Sequence, residues 1–431
     1  MTAEIVIMNR EAVALAADSA VTIGRTGQKI FTSANKLFAL SRLHPVGIMV
    51  YGSANLMQIP WETIIKIYRS RLARKKFNKL EQYADDFMEF LDNGNSLFPD
   101  SVQEDYARRT FYDYFTYLKE QVTKTVDGEL KKSCTISVRK LASIVSRIIS
   151  SQYEIWCNAK NTSTIPPQFN KKIVKYYNKI IDDAKKKVFE KLPLSKRNSD
   201  KLTRIAGCLF SRFPLTVDTA NISGVVIAGF GELDTFPSVA AYMVECVVKN
   251  KLKYEKLLNR KISFTASAGI MPFAQREMVA TFMEGIDPSF KDFEDSYITK
   301  MFSDYAKVIV DSIANVANTQ KQLLQKKLVE AGKKILEDRN KELKTFVRDK
   351  FTDPVISVVA TLPKDELAAM AESLVNLTSF KRRVTMERET VGGPIDVAVI
   401  SKGDGFVWIK RKHYFKAELN PQFFEKNYRM V

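Results

Sequence analysis

Histidine and cysteine are scarce in this chain of 431 residues. It has two histidines and four cysteines: His44, His413, Cys134, Cys157, Cys208 and Cys246. Neither histidine stands in a Ser-His or Cys-His setting, so histidine-based catalysis and histidine-rich metal sites are not expected. The cysteines lack CxxC spacing, which predicts reduced, buried thiols and no zinc site. We therefore expect neither a metal nor a cofactor.

Long apolar runs and phosphate-binding loops are also missing. No stretch approaches the length needed to cross a bilayer, and no basic-plus-apolar signal opens the sequence. These absences predict a cytoplasmic protein that does not contact a membrane. No glycine-rich loop could cradle a nucleotide phosphate. If the protein needs ATP-driven unfolding, a separate ATPase or adaptor must supply it.

Positive charge is abundant. Lysine and arginine number 67 against 49 acidic residues, which gives a net charge of +18. Such a surplus suits acidic partners, including nucleic acid. Solvated lysine-rich helices explain it equally, and we favour that interpretation over a nucleic-acid partner. At 45% hydrophobic residues, the chain can bury a large core.

The first 52 residues carry the strongest pattern. Two apolar runs, 4–8 and 12–24, are separated by the polar break Asn9-Arg10-Glu11, which predicts a β-hairpin. Thr2 would open the first strand, and Asp18 would end the second. The hairpin would therefore bring the start of the chain beside Asp18.

Thr2 becomes the N-terminal residue if Met1 is removed, and a small residue at position 2 permits that removal. A free α-amino group, with a pKa of roughly 8, can take the proton of the threonine hydroxyl. A nearby lysine would favour the neutral amine, and a carboxylate would hold that lysine. Lys36, just before an apolar run, is the preferred candidate, and Lys29 in a turn region is the weaker one.

Three stretches carry a resemblance to a known family: 14–24, Asn35-Lys36-Leu37 and 47–54. They resemble the N-terminal half of proteasome β-subunits and of the peptidase subunit of the bacterial ATP-dependent threonine protease. Both are N-terminal nucleophile hydrolases. The resemblance implies Thr2 as nucleophile, Asp18 and Lys36 as its supporting pair, and Gly52 as the oxyanion residue. A shifted alignment would place Tyr51 there, and a backbone N–H would serve in either case.

Two later blocks are also similar to the family. One contains the hairpin around 222–244 and the strand 262–269 before a helix, where Ser267 falls on an assisting serine. The other runs from 363 to 409. It departs from the family pattern because Val391 stands at a serine position, and Glu387 or Glu389 would supply the acid.

The resemblance implies an α+β fold, a four-layer αββα sandwich with two large helical insertions. The core parts would be 1–92, 215–286 and 351–431. The insertion 93–214 is predicted to form helices at 101–122, 136–157, 171–192 and 200–212, with an apolar aromatic face on the first. The insertion 287–350 has alternating charge and regularly spaced apolar residues, which predicts long exposed helices.

The predicted function is a threonine-dependent amide hydrolase, a peptidase acting on a peptide or protein substrate through an acyl-enzyme. By resemblance its pocket would accept an apolar side chain, and four residues would line it: Val21, Ala34, Val50 and Ala54. Family members form rings. Because the insertions emerge beside the helices that build those rings, we expect a smaller homo-oligomer.

Each site residue also has an ordinary explanation. Thr2 is common in proteins without this chemistry, Asp18 can start a turn, Lys36 can be a surface charge, and Gly52 can end a strand. Ser267 can simply precede a helix. The alternative function is a catalytically silent scaffold of the same fold, whose basic insertions bind a protein or nucleic acid.

Overall fold

The computed structural model describes residues 3–23, 29–31, 33–92, 96–214, 221–314, 317–385, 391–413 and 415–428. The chain forms two compact units. The first comprises Met1–Leu37, Thr235–Pro237 and Lys261–Val431, and the second comprises Phe38–Asp234 and Ser238–Arg260. Both contain helices and a sheet, and every pairing with a described register is antiparallel. The chain is therefore a mixed α and β protein.

The sheet of the first unit has five strands, numbered here in chain order. They are β1 (Ala3–Asn9), β2 (Ala12–Ala17), β12 (Ala268–Ala274), β13 (Asp396–Ser401) and β14 (Gly405–Lys410). Their order is β12-β1-β2-β13-β14. Glu4 lies opposite Ala17 in the β1–β2 pair, which confirms the hairpin predicted from the two apolar runs.

The described helices of the first unit follow β12 in the sequence. They are α7 (Glu277–Glu284), α8 (Pro288–Ser312), α9 (Asn318–Val347), α10 (Asp353–Val359), α11 (Lys364–Val384) and α12 (Pro421–Tyr428). A π-helical turn spans Arg348–Thr352, a 3-10 turn spans Ala417–Leu419, and β3 (Val21–Ile23) pairs with β4 (Lys29–Phe31). Helices α8 and α9 pack against each other, which confirms the long exposed helices predicted within 287–350.

Helix α11 covers one face of this sheet. Leu367, Ala371 and Val375 share a buried cluster with Ile5 and Ile7 of β1. The alternating alanines of β2 belong to the same cluster, and their small side chains let the helix approach closely. Acidic residues occupy its first turn and basic residues its last turn, as the helix dipole favours. This packing holds β1 and β2, whose ends carry the candidate site.

The sheet of the second unit also has five strands. They are β5 (Leu37–Ala39), β6 (Val46–Gly52), β9 (Ser223–Gly229), β10 (Ser238–Val248) and β11 (Lys251–Lys261), whose outermost residues, Leu37 and Lys261, belong to the first unit. Their order is β11-β10-β9-β6-β5. The β9–β10 pairing confirms the predicted hairpin. A short pair joins β7 (Asn55–Leu56) to β8 (Ile59–Pro60).

Six helices accompany this sheet in the described part of the second unit. They are α1 (Trp61–Leu72), α2 (Leu80–Asp92), α3 (Asp100–Ser133), α4 (Val138–Asn158), α5 (Phe169–Phe189) and α6 (Lys196–Leu209). The last four confirm the helices predicted for 93–214. Phe111, Phe115 and Leu118 of α3 are fully buried in the unit's core, as the aromatic face predicted.

The cysteines only partly fit the prediction. All four are free thiols, and Cys208 and Cys246 are buried. Cys134 is exposed and Cys157 is half-buried, so the prediction of buried thiols is wrong for these two. Cys134 follows the last residue of α3 in a left-handed conformation, where the chain turns outside the core. Among the described residues, no helix combines the length and apolarity needed to cross a membrane.

Candidate active site

Asp18 is the centre of the candidate site. It follows β2 directly and is fully buried. Its Oδ1 accepts hydrogen bonds from the Ala3 N–H at 3.1 Å and from the Lys36 ammonium at 2.7 Å. Its Oδ2 accepts from the backbone N–H groups of Ala20 at 3.2 Å and Gly392 at 3.0 Å. Four donors therefore compensate a carboxylate that has lost contact with water.

The hairpin explains why Asp18 meets the start of the chain. Asp18 N–H donates to the Ala3 carbonyl at 3.1 Å, which continues the β1–β2 ladder by one residue. The Asp18 carboxylate in turn accepts the Ala3 N–H. The prediction that folding would bring Asp18 beside the chain's beginning is thus met at Ala3, the residue covalently bonded to Thr2.

Lys36 is buried at the same point and directly precedes β5. Burial lowers the pKa of the Lys36 ammonium from its ordinary value, while Asp18 and Glu4 oppose that change and Lys412 adds to it. A buried ammonium with a lowered pKa can give up or recover a proton more readily than a solvated lysine. At 2.7 Å, the Lys36 ammonium and the Asp18 carboxylate form a buried ion pair.

Glu4 is a buried carboxyl group that the sequence reasoning missed. It is 2% exposed, and within the described part of the chain neither carboxyl oxygen has a hydrogen-bond partner. Burial raises the pKa of Glu4 to about 8; Lys36 opposes this and Asp18 adds to it. Glu4 is therefore largely protonated at neutral pH. The sequence signal for a buried carboxyl group was the glutamate that opens the otherwise apolar run 4–8.

Three further residues support the site and were not predicted: Gly392, Asp396 and Lys412. Gly392 donates its N–H to Asp18, and its carbonyl accepts the Ser19 N–H at 3.2 Å. Asp396, at the start of β13 opposite Ala17, is 2% exposed and forms an ion pair with Lys412. An acid within the apolar run after Gly392 and Gly393 was the signal for Asp396.

Several predicted residues lie outside the described part of the chain. Thr2 and Met1 are among them, as are Glu387 and Glu389. The backbone of Lys29 begins β4, but its side chain is not described. The choice between Glu387 and Glu389 therefore stays a prediction.

The structure contradicts the expected position of Ser267. The residue immediately precedes β12, which runs antiparallel to β1 with Ala268 opposite Asn9 and Ala274 opposite Ala3. At about 3.3 Å per residue, the length of β1 places Ser267 roughly 20 Å from Ala3 along the strand. The prediction that Ser267 assists the nucleophile is therefore wrong. The sequence suggested a strand ending near Ser267, whereas the strand begins just after it.

Gly52 belongs to the second unit, where it ends β6 with a φ of 81°. A Cβ at this position would lie 2.4 Å from the Ile222 carbonyl oxygen, so only glycine fits here. Tyr51, the alternative, is half-buried, and its ring lies against Gly224. A glycine that lets two backbone segments approach closely is a sufficient structural explanation of Gly52.

The four predicted pocket residues have different surroundings. In the first unit, Val21 and Ala34 are half-buried, and the Ala34 N–H donates to the Ser19 carbonyl at 3.1 Å. In the second unit, Val50 is part of the hydrophobic core and Ala54 is exposed. Ala34 is therefore hydrogen-bonded to the residue that follows Asp18, and Val21 begins β3 three residues after Asp18.

Comparisons with known proteins identify no family. No family model matches the chain, and no curated protein matches it significantly. Among solved structures, the chain is similar to the Gly-1 mutant of Anbu from Hyphomicrobium sp. strain MC1, with 8% sequence identity and a TM-score of 0.27. The alignment covers 100% of this chain and 98% of that chain. A TM-score this low does not define a shared fold, so the chain's own contacts carry the functional argument.

Proposed function

We propose that the chain is a proteasome-like, threonine-dependent amide hydrolase that cleaves peptides. One observation carries the proposal: the buried Asp18 carboxylate accepts hydrogen bonds from both the Ala3 N–H and the Lys36 ammonium. This contact links a buried ammonium, through the Asp18 carboxylate, to Ala3, the residue bonded to Thr2. An ammonium there would favour the neutral amine that a terminal threonine nucleophile needs as its base.

In the proposed mechanism, removal of Met1 frees the Thr2 amine. The amine accepts the hydroxyl proton as Thr2 Oγ1 attacks the substrate carbonyl, and the Lys36 ammonium favours the neutral form of the amine beforehand. The proton passes to the leaving amine, and an ester between Thr2 and the acyl part of the substrate forms. Water, deprotonated by the same amine, then hydrolyses that ester.

The remaining parts of the proposal follow the family resemblance. The two sheets would stack in a four-layer αββα sandwich, and the Gly52 N–H would bind the oxyanion. Val21, Ala34, Val50 and Ala54 would line an apolar pocket. Protein substrates would reach the site after unfolding by a separate ATPase or adaptor, and the enzyme would act as a homo-oligomer smaller than the family's rings.

Intact-mass analysis followed by labelling tests this proposal. The purified chain should lack Met1 and should form a covalent adduct with a peptide epoxyketone, which requires both the free amine and the hydroxyl of one residue. Thr2→Ala should form no adduct. Lys36→Met retains the nucleophile, and we expect its adduct to form about 10²- to 10⁴-fold more slowly because the Thr2 amine loses the ammonium that favours its neutral, basic form.

Circular dichroism must show that both variants stay folded. Thr265→Ala, which changes an exposed threonine, is the matched control and should react like the unmodified chain. Retained Met1, or equal labelling of the Thr2→Ala variant, would reject the threonine mechanism. The silent scaffold would then be the better description.

A further inference from the structure

Helices α4 and α6 pack against each other and are joined by regularly spaced pairs of side chains. Three of these pairs are polar: the Lys201 ammonium donates to Ser150 Oγ at 2.6 Å, the Arg204 guanidinium donates to the Tyr153 hydroxyl at 3.2 Å, and Arg212 Nε donates to Asn161 Oδ1 at 2.8 Å. In each pair the two residues are 51 positions apart in the sequence. A constant offset means that the two helices run parallel and in register, because both advance equally along their axes. We call these pairs the α4–α6 ladder.

Cys157 and Cys208 belong to the same series. They are also 51 positions apart, and their Sγ atoms lie 4.0 Å from each other. One polar pair of the α4–α6 ladder lies four residues before the cysteines on both helices, and another lies four residues after them. Polar contacts on both sides therefore hold the two sulfurs next to each other.

This arrangement suits a covalent bond between the two sulfurs. A disulfide needs Cα atoms about 4.4–6.8 Å apart and sulfurs about 2.05 Å apart. The axes of packed helices lie about 8–10 Å apart and each Cα lies about 2.3 Å from its axis, so facing Cα atoms are separated by on the order of 5 Å. The sulfurs must therefore approach by about 2 Å, which rotation of the two side chains can supply while the helices stay in place.

The two thiols differ in their surroundings. Cys157 is half-buried, whereas Cys208 is only 2% exposed. Burial raises the pKa of the Cys208 thiol well above its ordinary value; Cys157 adds to this and Arg212 opposes it. Since a thiolate is the reactive form, an oxidant from solvent reaches and oxidises Cys157 first, and Cys208 stays a thiol until then.

We propose that Cys157 and Cys208 form an oxidation site at which hydrogen peroxide or another hydroperoxide converts the two thiols into a disulfide. In the first step, the Cys157 sulfur attacks a peroxide oxygen, the O–O bond breaks, water leaves, and a sulfenic acid forms. In the second step, the Cys208 sulfur attacks the Cys157 sulfur. The S–S bond forms, the S–O bond breaks, and the Cys208 proton leaves in a second water. Two electrons pass from the thiols to the peroxide.

The bond has two consequences for the second unit. It joins the C-terminal ends of α4 and α6 and closes the loop that contains α5. It also consumes the Cys157 sulfenic acid before a second peroxide can convert it to a sulfinic acid, which thiols cannot reduce. The pair therefore makes oxidation at Cys157 reversible. The site is independent of the proposed hydrolase mechanism, because neither cysteine belongs to the candidate active site.

Peptide mapping of the full-length chain after treatment with hydrogen peroxide tests this site. A Cys134→Ser chain, which lacks the exposed thiol, should lose the mass of two hydrogens and yield one linked peptide pair that contains Cys157 and Cys208. Dithiothreitol should restore the original mass. Oxidation of Cys134 in the unmodified chain defines the peroxide dose that is sufficient for an exposed thiol. If Cys157 and Cys208 both remain thiols at that dose, the proposal is overturned.

Two further variants in the Cys134→Ser background test the role of each sulfur. Cys208→Ser should yield no linked peptide, and its Cys157 should gain oxygen that dithiothreitol does not remove. Cys246→Ser makes the same change at the other buried thiol, so it is the matched control and should keep the linked peptide. Fully reversible oxidation of Cys157 in Cys208→Ser, or a linked peptide that contains Cys246, would contradict the proposal.

Circular dichroism must show that these variants stay folded. Cys157→Ser changes the half-buried position and provides a second test if Cys208→Ser unfolds. At the same peroxide dose, Cys208 should remain a thiol in the Cys157→Ser chain. Oxidation of Cys208 to the same extent as in the chain that keeps Cys157 would show that Cys157 is not the entry point of the oxidant, and would overturn the proposed order of steps.

Discussion

At the scale of residues, the Asp18 carboxylate connects parts of the chain that are distant in the sequence. Its donors are Ala3, Ala20, Lys36 and Gly392. The residue types and spacing of Asp18 and Lys36 were sufficient to nominate them as a pair. Gly392 contributes only a backbone N–H, which any residue except proline has, so no sequence pattern could identify it.

We expect Lys36→Met to lower the free energy of unfolding by about 3–5 kcal/mol, because it leaves a buried carboxylate without its ammonium partner. Combining it with Asp18→Asn should restore part of that loss, since the neutral amide needs no counter-charge. Urea denaturation measures both effects. Lys66→Met is the control: its exposed ion pair with Glu62 should contribute less than about 1 kcal/mol. Equal losses for Lys36→Met and Lys66→Met would contradict this prediction.

The raised pKa of Glu4 predicts that the free energy of unfolding depends on pH. Its folded-state pKa of about 8 exceeds the ordinary value of 4.5, so the folded chain binds the proton more tightly than the unfolded chain. The resulting stabilisation is complete below pH 4.5, declines as the pH rises, and is lost above about 8. Its full size is about 5 kcal/mol.

Glu4→Gln should therefore flatten the dependence of the unfolding free energy on pH between 5 and 9, as measured by urea titrations at each pH. Glu11→Gln changes an exposed carboxylate just beyond the end of the same strand and should leave the slope unaltered. An identical slope in the Glu4→Gln variant and the unmodified chain would show that Glu4 does not carry this titration.

At the scale of elements, the periodic patterns predicted the helices well and the strand ends poorly. The aromatic face of α3 and the charged repeats of α8 and α9 repeat every three to four residues, so they specify helices locally. The strand β12 illustrates the limit. Residues 262–269 look like a strand, but pairing with β1 begins only at Ala268 and continues to Ala274. Register depends on a partner strand that is distant in the sequence.

Two helical glycines should respond oppositely to substitution by alanine. Gly128 in α3 has open space around its missing Cβ, so Gly128→Ala should stabilise the chain by about 0.5–1 kcal/mol through helix propensity. Gly332→Ala places a methyl group 2.8 Å from the Phe302 ring and should cost about 1–3 kcal/mol. Thermal melts of the two variants provide the comparison. Stabilisation by Gly332→Ala would show that α8 and α9 pack less closely.

At the scale of the whole molecule, the charge of +18 is partly balanced locally. Exposed ion pairs at i,i+4 spacing include Lys66–Glu62, Arg108–Glu104 and Arg109–Asp105. This agrees with solvated helices as the main origin of the basic composition.

We therefore expect DNA binding to be weak and non-specific. In fluorescence anisotropy titrations, affinity for two duplexes of unrelated sequence should be equal and should fall by about 10³-fold or more between 50 and 200 mM salt. Binding that persists at the higher salt, or that prefers one duplex, would instead support a nucleic-acid partner for the basic insertions.

The sequence by itself determined the local structure of this protein. Two apolar runs around a polar break specified the β1–β2 hairpin, helical periodicity specified the insertions, and the residue types of Asp18 and Lys36 marked a potential ion pair. Only the tertiary structure decided that Glu4 is buried with no hydrogen-bond partner among the described residues, that Gly392 donates the fourth hydrogen bond to Asp18, and that Ser267 precedes β12 at the end far from Ala3. Burial, register and backbone contacts arise from segments hundreds of residues apart, so no local pattern can encode them.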